Sequence, residues 1–272
     1  DNFIGHKAKV KEMLSLLIKW QKERRYPFMF FTEASVNLAD DKELMTLMSA
    51  ANFYKVFLGL ETPSLKGLKE CGKIQNTVRD LAESVKIIQQ HGIQVMAGFI
   101  VGFDSDTEKI FERQIQFIQE IGVVVAMAGL LNALPQTRLW HRLKAENRLL
   151  GNSSGGNTDG TLNFIPKMDK DDLVNGYKRL ISTIYSPEHY YKRIGVFIKN
   201  YKPTVKSRIS KEAVAAFFKS VWIIGILSKT KRLYWKLLFK TSLTKIKALP
   251  SAVELAILRI HFEKVVKKIL AA

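Results

Sequence analysis

The chain has 272 residues, of which 47% are hydrophobic and 25% charged, and its formal net charge is +18. This balance is typical of a globular protein and excludes a fibrous or intrinsically disordered chain. The single cysteine, Cys71, excludes an internal disulfide framework and agrees with a reducing compartment, so we expect a cytoplasmic protein. No apolar run approaches the roughly 18 residues that a membrane-spanning helix needs.

The first 137 residues alternate short apolar runs with helical patterns. The runs predict four buried strands, at 28–31, 55–60, 94–101 and 123–128. A helix is predicted before the first run and another in each of the three connections, because apolar residues recur there on one helical face. Strands and helices of these lengths imply parallel strands joined by right-handed crossovers. The predicted fold class is therefore α/β.

Start and stop signals bound the predicted helices. Asp40 and Glu43 have capping-box spacing before the helix that follows the first strand. Residues 105–108 predict a second capping box, after the third strand. Gly92 and Gly122 are expected to end two of the helices, since glycine readily takes the left-handed conformation of a C-cap.

Three acids follow successive predicted strands, namely Glu33, Glu61 and Asp104. Periodicity does not decide between an open doubly wound sheet and a barrel, but both bind ligands at the carboxyl ends of their strands. Ionised carboxylates only accept hydrogen bonds, so the three acids would suit a ligand with amine and hydroxyl donors. Each acid alone also has a structural explanation: Glu33 as a loop cap, Glu61 in a lysine pair, and Asp104 beside a helix start.

Beyond Leu150 the character of the sequence changes. Residues 151–157 form a connection rich in Gly, Ser and Asn, and helical patterns follow it. From Tyr201 to Ala272 sixteen Lys and Arg residues stand against three acids. Such a tail can bind phosphates of nucleic acid, anionic lipid headgroups or an acidic partner domain, and it can also be the solvated surface of ordinary helices.

Several segments resemble one known family. Residues 32–39, 59–64 and 98–104 are similar, in order and spacing, to radical S-adenosylmethionine (SAM) proteins with an N-terminal cobalamin-binding domain. Residues 190–193, 220–225, 234–235 and 261–262 resemble the C-terminal helical domain of unknown function in one branch of that group. The branch includes proteins similar to hopanoid C-2 methylases.

The resemblance implies a domain organisation. Residues 1–150 would be the C-terminal part of a partial (β/α)6 radical SAM barrel, with the predicted strands as its third to sixth. Residues 151–165 would be a linker, and residues 166–272 a mainly α-helical basic domain.

The resemblance also implies SAM, a [4Fe-4S] cluster and cobalamin as cofactors. In the family, three cysteines of a CxxxCxxC loop hold the cluster, which cleaves SAM reductively. Those cysteines are absent from this sequence, and Cys71 alone cannot replace them. We therefore expect the SAM-side fragment of a methyltransferase that acts on an unactivated carbon of a lipid or other small molecule. Such a fragment is expected to be inactive by itself.

SAM-binding positions carry over by motif. The implied cofactor-binding residues are Glu33, Ser35, Glu61, Gly98, Ile100, Gly102, Asp104, Asp1 and Asn2. Ile100 would lie against the adenine, Glu61 would face the ribose and methionine portions, and Asp1 or Asn2 would approach the methionine amine. The family's GxIxGxxE strand ends here at Ser105 instead of Glu, which departs from the pattern. No catalytic or metal-binding residue is assigned.

The expected partners are the small-molecule or lipid substrate, the N-terminal cobalamin domain and the first barrel strands. Aromatic residues among the lysines of the tail would suit peripheral contact with an anionic membrane, whereas nucleic acid is not expected to bind the enzyme. The alternative is a non-catalytic basic module that binds nucleic acid or anionic membrane, which depends on charge alone.

Overall fold

One four-stranded sheet organises the first half of the protein. The computed structural model describes residues 2–151, 161–204, 206 and 210–271. Its strands are β1 (Phe30–Ala34), β2 (Phe53–Glu61), β3 (Gln94–Val101) and β4 (Ala126–Leu130). They pair in the order β1-β2-β3-β4, and every pair is parallel. The predicted α/β class is confirmed.

Helices fill the connections and the rest of the described chain. The first seven are α1 (Lys7–Glu23), α2 (Lys42–Ala50), α3 (Leu65–Glu70), α4 (Ile74–Thr77), α5 (Leu81–Gln90), α6 (Lys109–Ile121) and α7 (Arg138–Ala145). They are followed by α8 (Lys170–Ile184), α9 (Pro187–Asn200), α10 (Lys211–Ser220), α11 (Lys231–Lys245) and α12 (Leu249–Ala271). A π-helical segment, Val221–Leu227, continues α10. None of the described helices is long and apolar enough to cross a membrane.

Both predicted capping boxes are wrong in detail. Asp41, not Asp40, caps α2, because its carboxylate accepts a hydrogen bond from the backbone N–H of Leu44 at 3.0 Å. Asp40 instead pairs with Arg79 across the surface at 2.9 Å. No side-chain cap bonds the start of α6, so the predicted box at residues 105–108 does not form.

Two strand boundaries also differ from the prediction. β1 begins two residues later than predicted, since Phe28 stacks on Trp20 of α1 with ring centroids 5.9 Å apart. β4 likewise begins at Ala126, and the buried run before it is not part of the strand. The predicted stop at Gly122 is confirmed, with a left-handed φ of 66°.

The sheet has one covered face and one open face. Side chains alternate along each strand, and register partners in parallel strands point to the same side. The covered face packs against the helices through Val56, Leu58, Leu60, Val95, Ala97, Phe99, Val101, Ala126, Ala128 and Leu130. On the open face, Phe31 is 66% exposed and Met127 is 50% exposed. The open face leads to the carboxyl edge of the sheet, where three of the predicted acids lie.

The two edges of the sheet have different neighbours. At the β4 edge, the hydroxyl groups of Tyr177 and Tyr185 in α8 donate to the carbonyl oxygens of Ala128 and Ala126, at 3.2 and 2.8 Å. These bonds satisfy backbone acceptors that an edge strand would otherwise expose. At the β1 edge, the N–H of Phe3 donates to the Glu33 carbonyl at 2.9 Å.

A buried arginine joins α9 to α6, to the end of α8 and to the segment that leads into β4. Arg193 of α9 donates to the Gln119 side chain at 2.6 Å and to the carbonyls of Ile184 and Val124 at 2.8 and 3.2 Å. One hydrophobic core accordingly continues from the sheet into α8, α9, α11 and α12. The predicted linker falls partly on residues 152–160, which lie outside the described residues, and the domain division stays a prediction.

Candidate functional site

Glu61 ends β2 in a strained turn at the carboxyl edge. Its backbone takes a φ of +63°, which side-chain-bearing residues rarely adopt. The buried Asn76 side chain supports this turn by donating to the carbonyls of Gly59 and Leu60, at 3.1 and 3.4 Å. The Glu61 carboxylate then meets the Lys73 ammonium at 3.1 Å. Strain of this kind, held by a specific buried side chain, is typical of functional sites.

The ion pair lies over the open face of the sheet. A Cβ placed on Gly59 would stand 2.5 Å from the Glu61 Oε1 and 2.8 Å from the Lys73 Nζ. Gly98 is the register partner of Gly59, and a Cβ there would meet the Phe57 ring at 3.2 Å. The absence of two neighbouring side chains therefore makes room for Glu61, Lys73 and Phe57 against the sheet.

An apolar wall flanks the glycine pair. Met127 of β4 is the register partner of Gly98, and Ile100 follows two residues later on the same face. Ile100 packs against a small hydrophobic cluster beyond the strand ends, formed by Phe103, Leu131, Ala133, Leu143 and Phe164. Ile100 and Met127 therefore offer an apolar surface on the open face, next to the Phe57 ring that lies over Gly98.

Asn2 and Ser35, two of the predicted cofactor-binding residues, hydrogen-bond to each other at the end of β1. The Asn2 amide donates to the Ser35 hydroxyl at 3.0 Å, and its carbonyl accepts from the Ser35 N–H at 3.0 Å. Ser35 also donates to the Asn37 side chain at 2.5 Å. The Glu33 carboxylate is exposed on the open face, in register with Phe57. Asp1 lies outside the described residues.

Asp104 is held by two arginines instead of facing the glycine pair. Its carboxylate meets Arg142 at 2.6 Å and Arg148 at 2.6 and 2.9 Å. Hydrogen bonds from Arg148 and then Arg142 outweigh the desolvation of the carboxyl and lower the pKa of Asp104 to about 2. Asp104 thus joins α7 to the loop after β3, and its oxygens are already occupied by cations.

Gly102 and the neighbouring Asp106 form the turn after β3. The Asp106 carboxylate accepts from the N–H groups of Gly102 and Phe103, at 2.9 and 3.0 Å. Burial raises the pKa of Asp106 to about 6, and its second oxygen has no hydrogen-bond partner among the described residues. Gly102 has a φ of +103° and packs near Leu173 of α8, so a glycine suits the turn that follows β3 at this position.

The side chains around Glu61 have the chemistry to hold SAM, whereas no group of side chains in the described residues could hold an iron-sulfur cluster. Two carboxylates offer acceptors for amine and hydroxyl groups, and the Ile100 wall offers an apolar surface for adenine. No three His, Cys, Asp or Glu side chains of the described residues are grouped as a metal site would require. Cys71 is exposed as a residue, but its Sγ lies partly buried against the Leu68 carbonyl at 3.5 Å, and this partial burial raises the pKa of the thiol.

The second half of the chain matches the model of a known protein family. The family model described as "Domain of unknown function (DUF4070)" matches residues 137–272, which is half of the chain. The chain belongs to the DUF4070 family. The matched segment begins before α7 and includes the Arg142 and Arg148 partners of Asp104, so the DUF4070 segment contacts the carboxyl edge of the sheet.

Two curated methyltransferases are similar to this DUF4070 chain. It is 42% identical over 240 residues to an uncharacterized methyltransferase of Synechocystis sp., covering 86% of this chain and 45% of that protein. It is 32% identical over 245 residues to the hopanoid C-2 methylase of Rhodopseudomonas palustris, covering 87% of this chain and 46% of that protein. The chain therefore spans about half the length of the curated relatives it matches.

Solved structures that share the fold of this DUF4070 chain include a methyltransferase. It is the radical SAM methyltransferase TsrM from Kitasatospora setae, with cobalamin and a [4Fe-4S] cluster bound. The TM-score is 0.57 at 13% identity, and the match covers 96% of this chain and 52% of that one. At this identity the likeness extends to the fold alone. Family, relatives and fold together confirm the resemblance to the C-terminal region of cobalamin-type radical SAM proteins.

Sequence reasoning did not identify several residues that shape the site. Lys73 comes twelve positions after Glu61, and only the α3 and α4 turns bring the two side chains together. The hydrogen bonds of Asn76 to the β2 end depend on the same turns. Arg142 and Arg148 lie in a later element than Asp104. The one usable signal was the lysine pair considered for Glu61, although the sequence did not indicate which lysine.

Proposed function

We propose that this chain forms the SAM-binding side of a cobalamin-dependent radical SAM methyltransferase. The single observation that carries the proposal is the Glu61–Lys73 pair held over the Gly59 and Gly98 positions at the carboxyl edge of an open parallel sheet. Ligands of parallel α/β folds bind at this edge. The site offers carboxylate acceptors, a cation and an apolar wall on one face of the sheet.

The open face supports a partial (β/α)6 barrel. All-parallel sheets normally have both faces covered, and this sheet leaves Phe31 and Met127 exposed on one side. We propose that further strands pair along the β1 edge, where Phe3 and Asn2 already bond to the end of the strand. The open face would then line the interior of the barrel. The α8 tyrosines would keep the β4 edge closed.

Within this site the proposed roles follow from charge and shape. Glu61 and Glu33 would accept hydrogen bonds from the ribose hydroxyls and the amine of SAM. Lys73 would orient Glu61 and balance its charge, while Ile100 and Met127 would contact the adenine. SAM would supply the methyl group and the radical chemistry of this enzyme class, and the protein's contribution would be to bind and orient it.

The other two cofactors do not bind to residues of this chain in our proposal. A [4Fe-4S] cluster needs several thiolates, and the sequence contains one cysteine. We propose that cluster and cobalamin are held by residues outside these 272 positions, so that the chain alone binds SAM without turning it over. The proposed substrate is a lipid or other small molecule with an unactivated carbon, a class to which the hopanoid of one relative's name belongs.

Equilibrium dialysis against radiolabelled SAM tests the proposed site. Glu61→Gln should weaken binding about tenfold, because a charge-assisted hydrogen bond to the ligand is lost. Glu83→Gln is the matched control, since Glu83 forms a similar surface pair with Lys86 at 2.8 Å but lies in α5, away from the carboxyl edge. Equal binding by wild type, Glu61→Gln and Glu83→Gln would exclude the proposed site.

A further inference from the structure

An exposed apolar surface lies on the helical hairpin formed by residues 211–245. α10 has no buried residue before its last position, Ser220, and large apolar side chains continue along the π-helical segment. Phe218 is 65% exposed and Trp222 59% exposed, and together with Val214 they are spaced four residues apart along one stripe. A monomeric protein rarely leaves such a continuous apolar surface uncovered.

The surface continues onto α11 through a close backbone contact. The Trp235 indole N–H donates to the Gly225 carbonyl at 2.9 Å, and a Cβ on Gly225 would meet that ring at 3.2 Å. The ring centroids of Trp235 and Phe239 are 5.9 Å apart, and Phe239 and Leu243 are exposed. The Ser220 and Tyr234 hydroxyl groups hydrogen-bond at 2.7 Å at the base of the hairpin. The apolar surface is therefore held in place by the fold.

Positive charge predominates around this surface. Between Glu212 and Glu254 the sequence contains eight Lys and Arg residues and no Asp or Glu. Lys236 and Lys240 lie on α11 beside Phe239, and they also line a groove of about 480 Å³ with Lys192 and Lys199 of α9. Tyr191 and Leu237 contribute to the walls of the same groove, and Glu188 is its one acid against four lysines. An anionic headgroup could thus be neutralised next to the exposed aromatic rings.

We propose that the 211–245 hairpin lies in the headgroup region of an anionic lipid bilayer, with Phe218, Trp222 and Phe239 inserted. Aromatic and aliphatic side chains on one surface with lysines around them are typical of helices that lie in the membrane interface. A protein partner fits less well, because lysine is depleted from the cores of protein interfaces. Nucleic acid fits less well, since phosphate contacts use lysines without requiring exposed Val, Ile and Leu.

Vesicle sedimentation of the whole chain tests the proposal. Vesicles of phosphatidylcholine with about one third phosphatidylserine should bind the protein, and pure phosphatidylcholine should bind it far less. Lys236→Gln with Lys240→Gln should weaken binding roughly 25-fold, at about fivefold for each charge. Phe218→Ser with Phe239→Ser should weaken it at least about tenfold. These side chains are exposed, so circular dichroism should show an unchanged fold.

Matched controls lie on other surfaces. Leu16→Ser with Val78→Ser removes two exposed apolar side chains, and Lys42→Gln with Lys109→Gln removes two exposed charges. Both controls should bind vesicles like the wild type. Bilayer insertion has its own readout, because brominated lipids should quench the fluorescence of Trp222, and Trp222→Phe should lose most of that quenching.

Three results would overturn the proposal. If the Phe218→Ser with Phe239→Ser variant binds anionic vesicles as tightly as the wild type, binding is electrostatic adsorption without insertion. Failure to bind anionic vesicles, together with salt-sensitive binding of duplex DNA or RNA, would assign the surface to nucleic acid. Absence of vesicle binding, with a change from dimer to monomer in the Phe218→Ser with Phe239→Ser variant, would assign it to a second copy of the chain.

Discussion

Gly176→Ala should destabilise the protein, although alanine normally stabilises a helix. Gly176 lies in the middle of α8, and a Cβ there would stand 2.1 Å from Cε2 and 2.3 Å from Cζ of Phe111. The ring belongs to α6 and is buried, so it has no free space to enter. Alanine contributes about 1 kcal/mol of helix propensity, whereas overpacking at this distance costs about 3 kcal/mol. The free energy of unfolding should therefore fall by about 2 kcal/mol.

Gly195 of α9 provides the matched control. Nothing lies within 4 Å of a Cβ at this position, so Gly195→Ala should raise the free energy of unfolding by about 0.5–1 kcal/mol. Urea unfolding followed by circular dichroism measures both variants under one condition. Adding Phe111→Leu to Gly176→Ala should recover part of the lost stability, because the shorter side chain leaves room. Stabilisation by both alanines alike would refute the close packing of α8 on α6.

Three further variants test buried polar groups by urea unfolding. Asp106 has a raised pKa, so its contribution to stability is fully present below about pH 4 and is lost as the pH rises through about 6. Asp106→Asn should therefore raise the free energy of unfolding by about 1–3 kcal/mol at pH 7.5 and by almost nothing at pH 4. Asp104 has a lowered pKa, so its contribution to stability is present above about pH 4 and is lost as the pH falls through about 2. Because solvent screens this pair, Asp104→Asn should lower the free energy of unfolding by about 1 kcal/mol at pH 7 and by less at pH 3. Arg193→Met should cost about 3 kcal/mol, because carbonyls such as that of Ile184 lose their donor. A pH-independent difference for either aspartate, or a neutral Arg193→Met, would contradict these assignments.

The sequence was sufficient for the two central strands of the sheet but not for the bounds of β1 and β4. β2 and β3 were predicted nearly to their ends, because their apolar runs are bounded by clear helix starts and stops. The run that begins at Phe28 is equally apolar, but its first ring packs on Trp20 instead of entering the sheet. An apolar run shows that residues are buried and does not show which neighbour buries them.

Site residues that lie on a single strand could be predicted from the sequence, but contacts between side chains of distant elements could not. Glu61 was assigned from its place at the end of β2 and Gly98 from the family-like motif of β3, and the structure brings both to one open face. Asp104 had the same signature at a strand end, yet two arginines from a later element take its carboxylate. Charge partners of this kind depend on tertiary packing, which periodicity and turn chemistry do not encode.

Methyl NMR with labelled methionine tests most directly whether the open face binds SAM. Met127 and Met96 lie in β4 and β3 beside Gly98, whereas Met45 and Met48 are fully buried in α2. Adding S-adenosylhomocysteine, which keeps the adenosine and amino-acid groups, should shift the Met127 and Met96 methyl signals and leave those of Met45 and Met48 in place. Unchanged Met127 and Met96 signals at saturating ligand would contradict the proposed site.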